Sequence, residues 1–79
     1  MSTKPVYWIG EVKPLDDFGY AITEEFIDGK TPPSHPIFRG RWAIFSPYSW
    51  ERYGIGKLGT GLGQRYVKQR DGRFMEVEG

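Results

Sequence analysis

The fold of this chain is decided by one stretch, Arg41-Trp42-Ala43-Ile44-Phe45-Ser46-Pro47-Tyr48-Ser49-Trp50-Glu51-Arg52-Tyr53-Gly54, in which a strand pattern passes directly into a helix pattern. Residues 41–45 are rich in the aromatic and β-branched side chains that favour strands. Ser46 is a good N-cap, and Pro47 suits the first helical position, where no N–H is needed. Gly54 suits a left-handed residue just beyond the helix end. The stretch therefore predicts a strand and then a helix of about two turns.

The predicted helix has one apolar face. Trp50 and Tyr53 lie three residues apart, so they point to the same side. So short a helix is marginal alone in water and must be held by packing. The next residues, 54–63, are rich in glycine and predict a loop. Three aliphatic side chains are expected to pin this loop to the body of the protein: Ile55, Leu58 and Leu62.

Two further strands are predicted on the N-terminal side of this stretch. Residues 6–12 are rich in β-branched and aromatic side chains and stop at Lys13-Pro14. Residues 20–27 alternate imperfectly between apolar and polar, and then meet Asp28-Gly29, a strong turn signal. We expect the strand at 20–27 to pair with 41–45 as a hairpin across a long connection.

A proline-rich loop and a terminal hairpin complete the predicted elements. The loop, residues 30–40, contains Pro32, Pro33 and Pro36, whose fixed φ and missing N–H suit an exposed, mobile segment. The hairpin spans residues 64–78, where two strand patterns flank Asp71-Gly72, a pair favoured in two-residue hairpin loops.

Length and composition predict a single domain over residues 1–79. At 79 residues with no cysteine, burial leaves a thin margin of stability and disulfides are excluded. Aromatic residues make up 16% of the chain, so the core is expected to be aromatic. Together with the patterns above, this predicts an α+β fold: a small β-rich domain with one short helix, an N-terminal strand and a C-terminal hairpin.

The formal net charge of +1 hides an asymmetry between two parts of the chain. Residues 1–36 hold three lysines and six carboxylates, a net charge of −3, whereas residues 37–79 hold eight basic and four acidic side chains, a net charge of +4. A basic side of the molecule attracts anionic partners. No run approaches the roughly 20 apolar residues that cross a bilayer, and the N-terminus lacks the apolar region of a signal peptide. We therefore expect a cytoplasmic protein with no membrane contact.

Two short frames, Leu15-Asp16-Asp17-Phe18-Gly19 and Ser46-Pro47-Tyr48-Ser49, are followed by the glycine-rich Gly59-Thr60-Gly61-Leu62-Gly63-Gln64. With these motifs, residues 15–65 resemble the small treble-clef zinc fingers that are common among phage and prophage proteins of unknown function. The resemblance implies a knuckle, a β-hairpin and a helix whose first turn carries the second ligand pair. The four ligand positions then fall on Leu15, Phe18, Ser46 and Ser49, none of which is a cysteine.

The resemblance therefore implies a fold from which the metal has been lost. Zinc contributes an apparent 10–16 kcal/mol or so in zinc-finger peptides, whereas burying Leu15 and Phe18 returns only about 1.5–3 kcal/mol each. We expect both side chains to be buried, and Ser46 to remain as the helix cap because that role needs only a hydroxyl. We also expect the N-terminal strand and the terminal hairpin to pack over the vacated site, with self-association as the alternative way to cover it.

The sequence predicts neither a cofactor nor an enzyme. The only histidine is His35, and hydroxyls replace thiolates poorly as zinc ligands. Asp16 and Asp17 are interpreted as turn residues. The run at 54–59 matches the letters of a dinucleotide-binding loop, but it follows a helix where that loop must follow a strand. Ser46 and Ser49 have no general base beside them in the sequence, so a catalytic triad is not indicated.

Two functions remain. The first is a protein-interaction module, a phage-encoded factor whose partner is a host or viral protein, acting as a monomer or a weak homo-oligomer. The alternative is single-stranded nucleic-acid binding, since arginines neutralise phosphates and exposed aromatics stack on bases. The candidate partner-binding residues are Arg39, Arg41, Trp42, Arg52, Lys57, Arg65 and Lys68.

Overall fold

The computed structural model describes residues 4–79; residues 1–3 of the expected 1–79 domain lie outside the described residues. It contains β1 (Glu25–Lys30), β2 (Trp42–Phe45), α1 (Pro47–Tyr53), β3 (Gly63–Lys68) and β4 (Phe74–Glu78). The strands form one antiparallel sheet in the order β2-β1-β3-β4. Over residues 4–79 the protein is therefore a small α+β domain, with a single four-stranded sheet and one short helix.

β1 lies later in the chain than the sequence pattern predicts. Asp28 pairs with Ile44 of β2, and Gly29 lies between Ala43 and Gly63, so the predicted turn at Asp28-Gly29 is wrong. The reason is a close approach: a Cβ on Gly29 would lie 2.7 Å from Cζ3 of Trp50. The glycine makes room for the tryptophan inside the sheet. The pairing of this strand with β2 is confirmed.

The helix forms where the sequence predicts it. The hydroxyl of Ser46 accepts a hydrogen bond from the Ser49 N–H at 3.2 Å, and Pro47 occupies the first turn. Gly54, however, has φ −84°, so it is not the predicted left-handed residue. A Cβ there would overlap Cε3 of Trp50. Gly54 is needed because the indole ring covers it.

One face of the sheet, here called the helix face, packs against α1. Its buried side chains are Ile27, Ala43, Phe45 and Trp50. The partly buried side chains around them come from the helix and three loops: Phe18, Phe38, Tyr53, Ile55 and Leu58. The glycine-rich loop is thus held to the body of the protein by two of the predicted aliphatic side chains, Ile55 and Leu58.

The other face of the sheet is covered by the N-terminal segment, defined as residues 6–12. Trp8 packs edge-on against Phe26 and Tyr66, with ring centroids 5.2 and 5.3 Å apart. Ile22 is buried in the same cluster, and Val12 packs against it. Each face of the sheet therefore has a core of its own.

The N-terminal segment is not the predicted strand. It forms a single bridge, Tyr7 to Met75, with backbone bonds from the Trp8 N–H to Phe74 and from the Glu76 N–H to Val6, both 2.8 Å. The extended chain ends at Gly10, whose φ is +99°.

The N-terminal segment meets the four vacated ligand positions only at Leu15, which lines one cavity with Trp8. Trp8, Tyr66 and Phe74 pack in the second cluster, whereas α1, which begins beside Ser46, packs on the helix face.

The terminal hairpin of β3 and β4 is confirmed, with a loop different from the one that the sequence suggests. The Gln69 N–H donates to the Arg73 carbonyl at 2.7 Å, and the Gly72 N–H donates to the Gln69 carbonyl at 2.9 Å. The loop therefore consists of Arg70, Asp71 and Gly72, with Gly72 at φ +88°, the three-residue form that ends on a left-handed residue.

The proline-rich loop between β1 and β2 is closed by hydrogen bonds of its own. The buried Thr31 hydroxyl donates to the Arg41 carbonyl at 2.9 Å and accepts from the Gly40 N–H at 3.0 Å. Nδ1 of His35 accepts from the N–H groups of Ile37 and Phe38. These bonds give the loop a defined shape.

Among residues 4–79, no helix combines the length and the apolar composition that crossing a membrane requires.

Candidate interaction surface

A single buried carboxylate joins the two frames that the sequence singled out. Asp16 Oδ1 accepts from the N–H groups of Phe18 and Tyr20, both at 2.9 Å. Asp16 Oδ2 accepts from the Ser46 N–H at 2.8 Å. The first frame is thereby fastened to the N-terminus of α1. The sequence predicts only a turn at Asp16. Its bonds to residues 18 and 20 have the short spacing of an Asx turn. The bond to Ser46 spans 30 residues, so neighbouring residues do not predict it.

Asp16 is held in its ionised form. Burial by itself would raise its pKa, but hydrogen bonds from Ser49, Ser46 and Tyr20 outweigh burial and keep the pKa below its ordinary value. A buried carboxylate with several donors is compensated by them. The turn that carries Tyr20 is therefore rigidly placed beside the helix.

The four positions that the resemblance assigned to metal ligands have different surroundings. Leu15 is 53% exposed, so the expectation that it is buried is wrong. Phe18 is half-buried and stacks on Phe45 and Tyr53, with centroids 5.0 and 4.9 Å apart. The reason for the difference is local: adjacent residues of an extended segment point to opposite sides, so Leu15 points away where Asp16 points inward.

The two serines are both buried. Ser46 caps the helix as expected, and the Ser46 hydroxyl donates to the Ser49 hydroxyl at 3.3 Å. Among the residues that the structure describes, no group of three or more His, Cys, Asp or Glu side chains is arranged to hold a metal ion.

Three exposed side chains form what we call the tyrosine–arginine patch: Tyr20, Tyr48 and Arg52. The rings of Tyr20 and Tyr48 have centroids 4.6 Å apart, and the guanidinium carbon of Arg52 lies 3.8 Å from the centroid of Tyr48. Tyr48 and Arg52 are four residues apart on α1, so they lie on one side of the helix. Tyr20 is 39% exposed and Tyr48 44%, although both are large aromatic side chains.

The phenol of Tyr20 is in its neutral form. The neighbouring phenols of Tyr53, and then of Tyr48, raise the pKa of Tyr20 above its ordinary value, so its hydroxyl is a donor at physiological pH. Arg52 supplies a planar cation stacked on an aromatic face, an arrangement that is favourable in itself. The patch therefore offers flat apolar surface, hydroxyl donors and one guanidinium, all positioned before a partner arrives.

The candidate basic residues do not form one face. Arg65 of β3 donates to Glu25 at 2.7 Å and to Glu78 at 3.2 Å, so two carboxylates surround it. Arg41 donates to the carbonyls of Phe38 and Ile37 at 3.0 and 3.1 Å and thereby closes the proline-rich loop. These two arginines have structural roles.

The other candidates lie in three separate places. Arg39 is in the proline-rich loop at φ +51°, with Nε 3.4 Å from the Pro36 carbonyl, and the exposed Trp42 begins β2. Lys57 is exposed in the glycine-rich loop, and Lys68 is exposed at the end of β3. Only Arg52 belongs to the tyrosine–arginine patch. Tyr20 and Tyr48, which complete the patch, are not among the candidates from the sequence.

Comparison with protein-family models, with curated proteins and with solved structures finds no match to this chain.

Proposed function

We propose that this chain is a small, non-enzymatic module that binds another protein through the tyrosine–arginine patch. The observation that carries the proposal is the preformed stack of Tyr20, Tyr48 and Arg52 on the surface. Tyr and Arg are the residue types, together with Trp, that dominate binding energy at protein interfaces. A stack that is already ordered loses little conformational freedom when a partner binds.

The state of the basic residues supports a protein partner over a nucleic acid. Nucleic-acid affinity depends on cations that are available to neutralise phosphates. Arg65 is engaged by two carboxylates, and Arg73 is paired with Asp71 at 2.8 Å. The net charge of the whole chain is only +1. A partner protein needs one well-placed guanidinium and aromatic surface, which the patch supplies.

Affinity capture with patch variants tests this proposal. Partners are captured from a lysate of the natural host with the wild-type chain, and each is then purified and titrated against it. We expect Tyr48→Ala with Arg52→Gln to weaken the direct complex by at least about 30-fold, corresponding to about 2 kcal/mol for a hot spot.

The control is Arg70→Gln, which removes one exposed arginine from the hairpin loop and leaves the patch intact. Its binding is expected to equal that of the wild type. If every purified partner binds the patch double variant as tightly as the control, the patch is not the interface.

Single-stranded nucleic acid is the second candidate, because exposed tyrosines beside a guanidinium also suit stacked bases. Its test is the fluorescence anisotropy of a labelled oligonucleotide at low and moderate salt. Binding that weakens with salt and is lost in Tyr48→Ala favours this function. An Arg65→Gln variant is expected to bind like the wild type, since Arg65 is already paired with Glu25 and Glu78. Absence of binding at low salt removes the candidate.

We further propose that residues 15–65 are a metal-free relative of phage-type treble-clef domains. The support is the connection of the two frames through Asp16, which joins a turn to a helix start without a metal. The exposed Leu15 departs from that plan. Cysteines placed together at positions 18, 46 and 49 are expected to bind one zinc ion with the retained Asp16 carboxylate as the fourth ligand, since Leu15 points away from that side. Failure to bind zinc in stoichiometric amount contradicts the kinship.

A further inference from the structure

A second surface lies on the face of the sheet away from the helix. The N-terminal segment leaves a cavity of about 160 Å³ between itself and the sheet. Its apolar lining consists of Trp8, Val12, Leu15, Phe26 and Ile44. Its charged lining consists of Glu11, Lys13 and Asp17. We call this cavity the acidic groove, because its carboxylates outnumber its cation.

The groove has room for one aliphatic side chain. An apolar cavity of about 150 Å³ holds a benzene molecule, so four aliphatic carbons fit into this one. The carboxylates of Glu11 and Asp17 favour cations next to that side chain. A suitable occupant is therefore an exposed aliphatic side chain flanked by basic residues.

The proline-rich loop presents such a side chain. Ile37 is 68% exposed, and both Arg39 and Arg41 are exposed beside it. Its backbone is fixed at both ends: the Ile37 N–H donates to Nδ1 of His35, and the Ile37 carbonyl accepts from Arg41 Nη2. The loop therefore holds an apolar tip beside two cations in one defined shape.

A molecule does not fill its own groove. The loop packs on the helix face, where Phe38 contacts the core cluster and His35 lies edge-on to Phe18 with centroids 5.7 Å apart. The groove lies on the opposite face, against Phe26 and Ile44. The tip and the groove are thus on different sides of one chain.

We propose that the acidic groove binds a second copy of this chain, with Ile37 of one molecule inserted beside Leu15 and Ile44 of the next. Arg39 and Arg41 then approach Glu11 and Asp17 of the neighbouring molecule, where the charges are complementary. Because the two surfaces differ, the contact is head-to-tail and open-ended. It is separate from the tyrosine–arginine patch, so it neither requires nor tests the proposed function.

Sedimentation velocity of the full chain tests the proposal. The weight-average sedimentation coefficient is expected to rise with concentration and to pass the value of a dimer as it approaches about 1 mM, the range of a weak contact. Raising the salt from about 0.05 to 0.5 M is expected to weaken the association severalfold, because the flanking charges are exposed. A chain that stays monomeric throughout this range overturns the proposal.

A mixing experiment identifies the surfaces. Ile37→Ser removes the tip, and Leu15→Lys places a like charge opposite the arginines; both positions are exposed, so folding is expected to be retained. Each variant alone is expected to be monomeric. Mixed in equal amounts, they are expected to form a 1:1 dimer and no larger species, because the intact groove of the first accepts the intact tip of the second.

Ile9→Ser is the matched control, because Ile9 is an aliphatic side chain exposed to 93% and it does not line the groove. Its association is expected to equal that of the wild type. The proposal is overturned if Ile9→Ser disrupts association as strongly as Ile37→Ser, or if the mixture of the two variants remains monomeric. Far-UV circular dichroism of each variant verifies that it is folded.

Discussion

Asp16 illustrates, at the scale of a residue, how one charge stabilises contacts far apart in the chain. Its carboxylate accepts three backbone N–H bonds, two from its own turn and one from the helix cap. Each donor would be left without a partner if the carboxylate were removed, and a buried donor without a partner costs more than a hydrogen bond gains. The residue is thus a structural requirement of the surface that Tyr20 and Tyr48 form.

Asp16→Asn is expected to lower the free energy of unfolding by about 3 kcal/mol at pH 7, since an amide nitrogen cannot accept from the Ser46 N–H. The pKa of Asp16 is lower in the folded than in the unfolded protein. Its contribution is therefore complete above the unfolded pKa of about 3.9 and is lost as pH falls through the folded pKa. Urea unfolding at several pH values is expected to show the difference from the wild type shrinking below about pH 4.

The control for this prediction is Asp71→Asn, a change in an exposed loop carboxylate. It is expected to alter stability much less at pH 7. Equal effects of the two substitutions would contradict the role given to Asp16.

Asp28 is the opposite case. Burial, and then the charge of nearby Asp17, raise the pKa of Asp28. The folded protein then holds this proton more tightly than the unfolded one, so stability falls as pH rises from about 3.9 through the folded pKa. Asp28→Asn is expected to be more stable than the wild type at pH 7, with an advantage that disappears in acid. Urea unfolding at pH 7 and in acid measures this difference in stability. The control is the exposed Glu24→Gln, whose stability is expected to equal that of the wild type under both conditions.

Gly54 and Gly56 each require glycine, but for different physical reasons: a steric clash at the first and backbone strain at the second. Gly54→Ala is expected to cost about 1–3 kcal/mol through the clash with the Trp50 ring. Gly56→Ala is expected to cost about 1 kcal/mol through backbone strain alone, because its φ is +78° and no atom lies within 4 Å of the added Cβ. Urea unfolding measures both costs. The indole N–H resonance of Trp50 is expected to shift in the first variant only; a shift in both contradicts the distinction.

At the scale of elements, the sequence predicts those segments whose signals are local. Ser46 and Pro47 mark the start of α1, and Asp71-Gly72 marks the place of the hairpin loop although not its length, because a cap and a turn depend on neighbouring residues. β1 continues through the turn that its pattern suggests, because Gly29 makes room there for the distant Trp50. The candidate site also combines a residue predicted from the sequence with one that depends on long-range contacts. Arg52 is a candidate from the sequence, whereas Tyr20 reaches its position only when the chain folds onto α1.

The N-terminal segment depends on tertiary packing more than on pairing. Trp8→Ala is expected to lower the free energy of unfolding by about 2 kcal/mol, less than for a fully buried tryptophan because Trp8 is half-buried. Hydrogen exchange of the Glu76 amide, which donates to Val6, is expected to accelerate more than that of amides between β1 and β2. Ile9→Ala, in the same segment, is expected to change stability by less than about 0.5 kcal/mol. Unchanged exchange at Glu76 would show that Trp8 does not hold the segment.

At the scale of the whole molecule, charges connect the sheet across three strands. Arg65 on β3 contacts Glu25 on β1 and Glu78 on β4. All three side chains are partly exposed, so solvent and salt screen the network. Arg65→Gln is expected to cost about 1 kcal/mol at low salt and less in about 1 M salt, as measured by thermal unfolding. Arg70→Gln, outside the network, is the control; a cost independent of salt contradicts the electrostatic origin.

The bond from the Ser46 N–H to Asp16 also bears on the order in which the protein folds. It joins residues 30 apart in sequence, whereas the β3–β4 hairpin is closed by a three-residue loop. A hairpin with so short a loop forms in microseconds, but a seven-residue helix does not persist until its cap and its packing surface are present. We therefore expect hairpin closure to come early, and α1 to persist only after residue 46 has returned to residue 16. The surface formed by Tyr20 and Tyr48 is then expected to appear with that contact, after the hairpin.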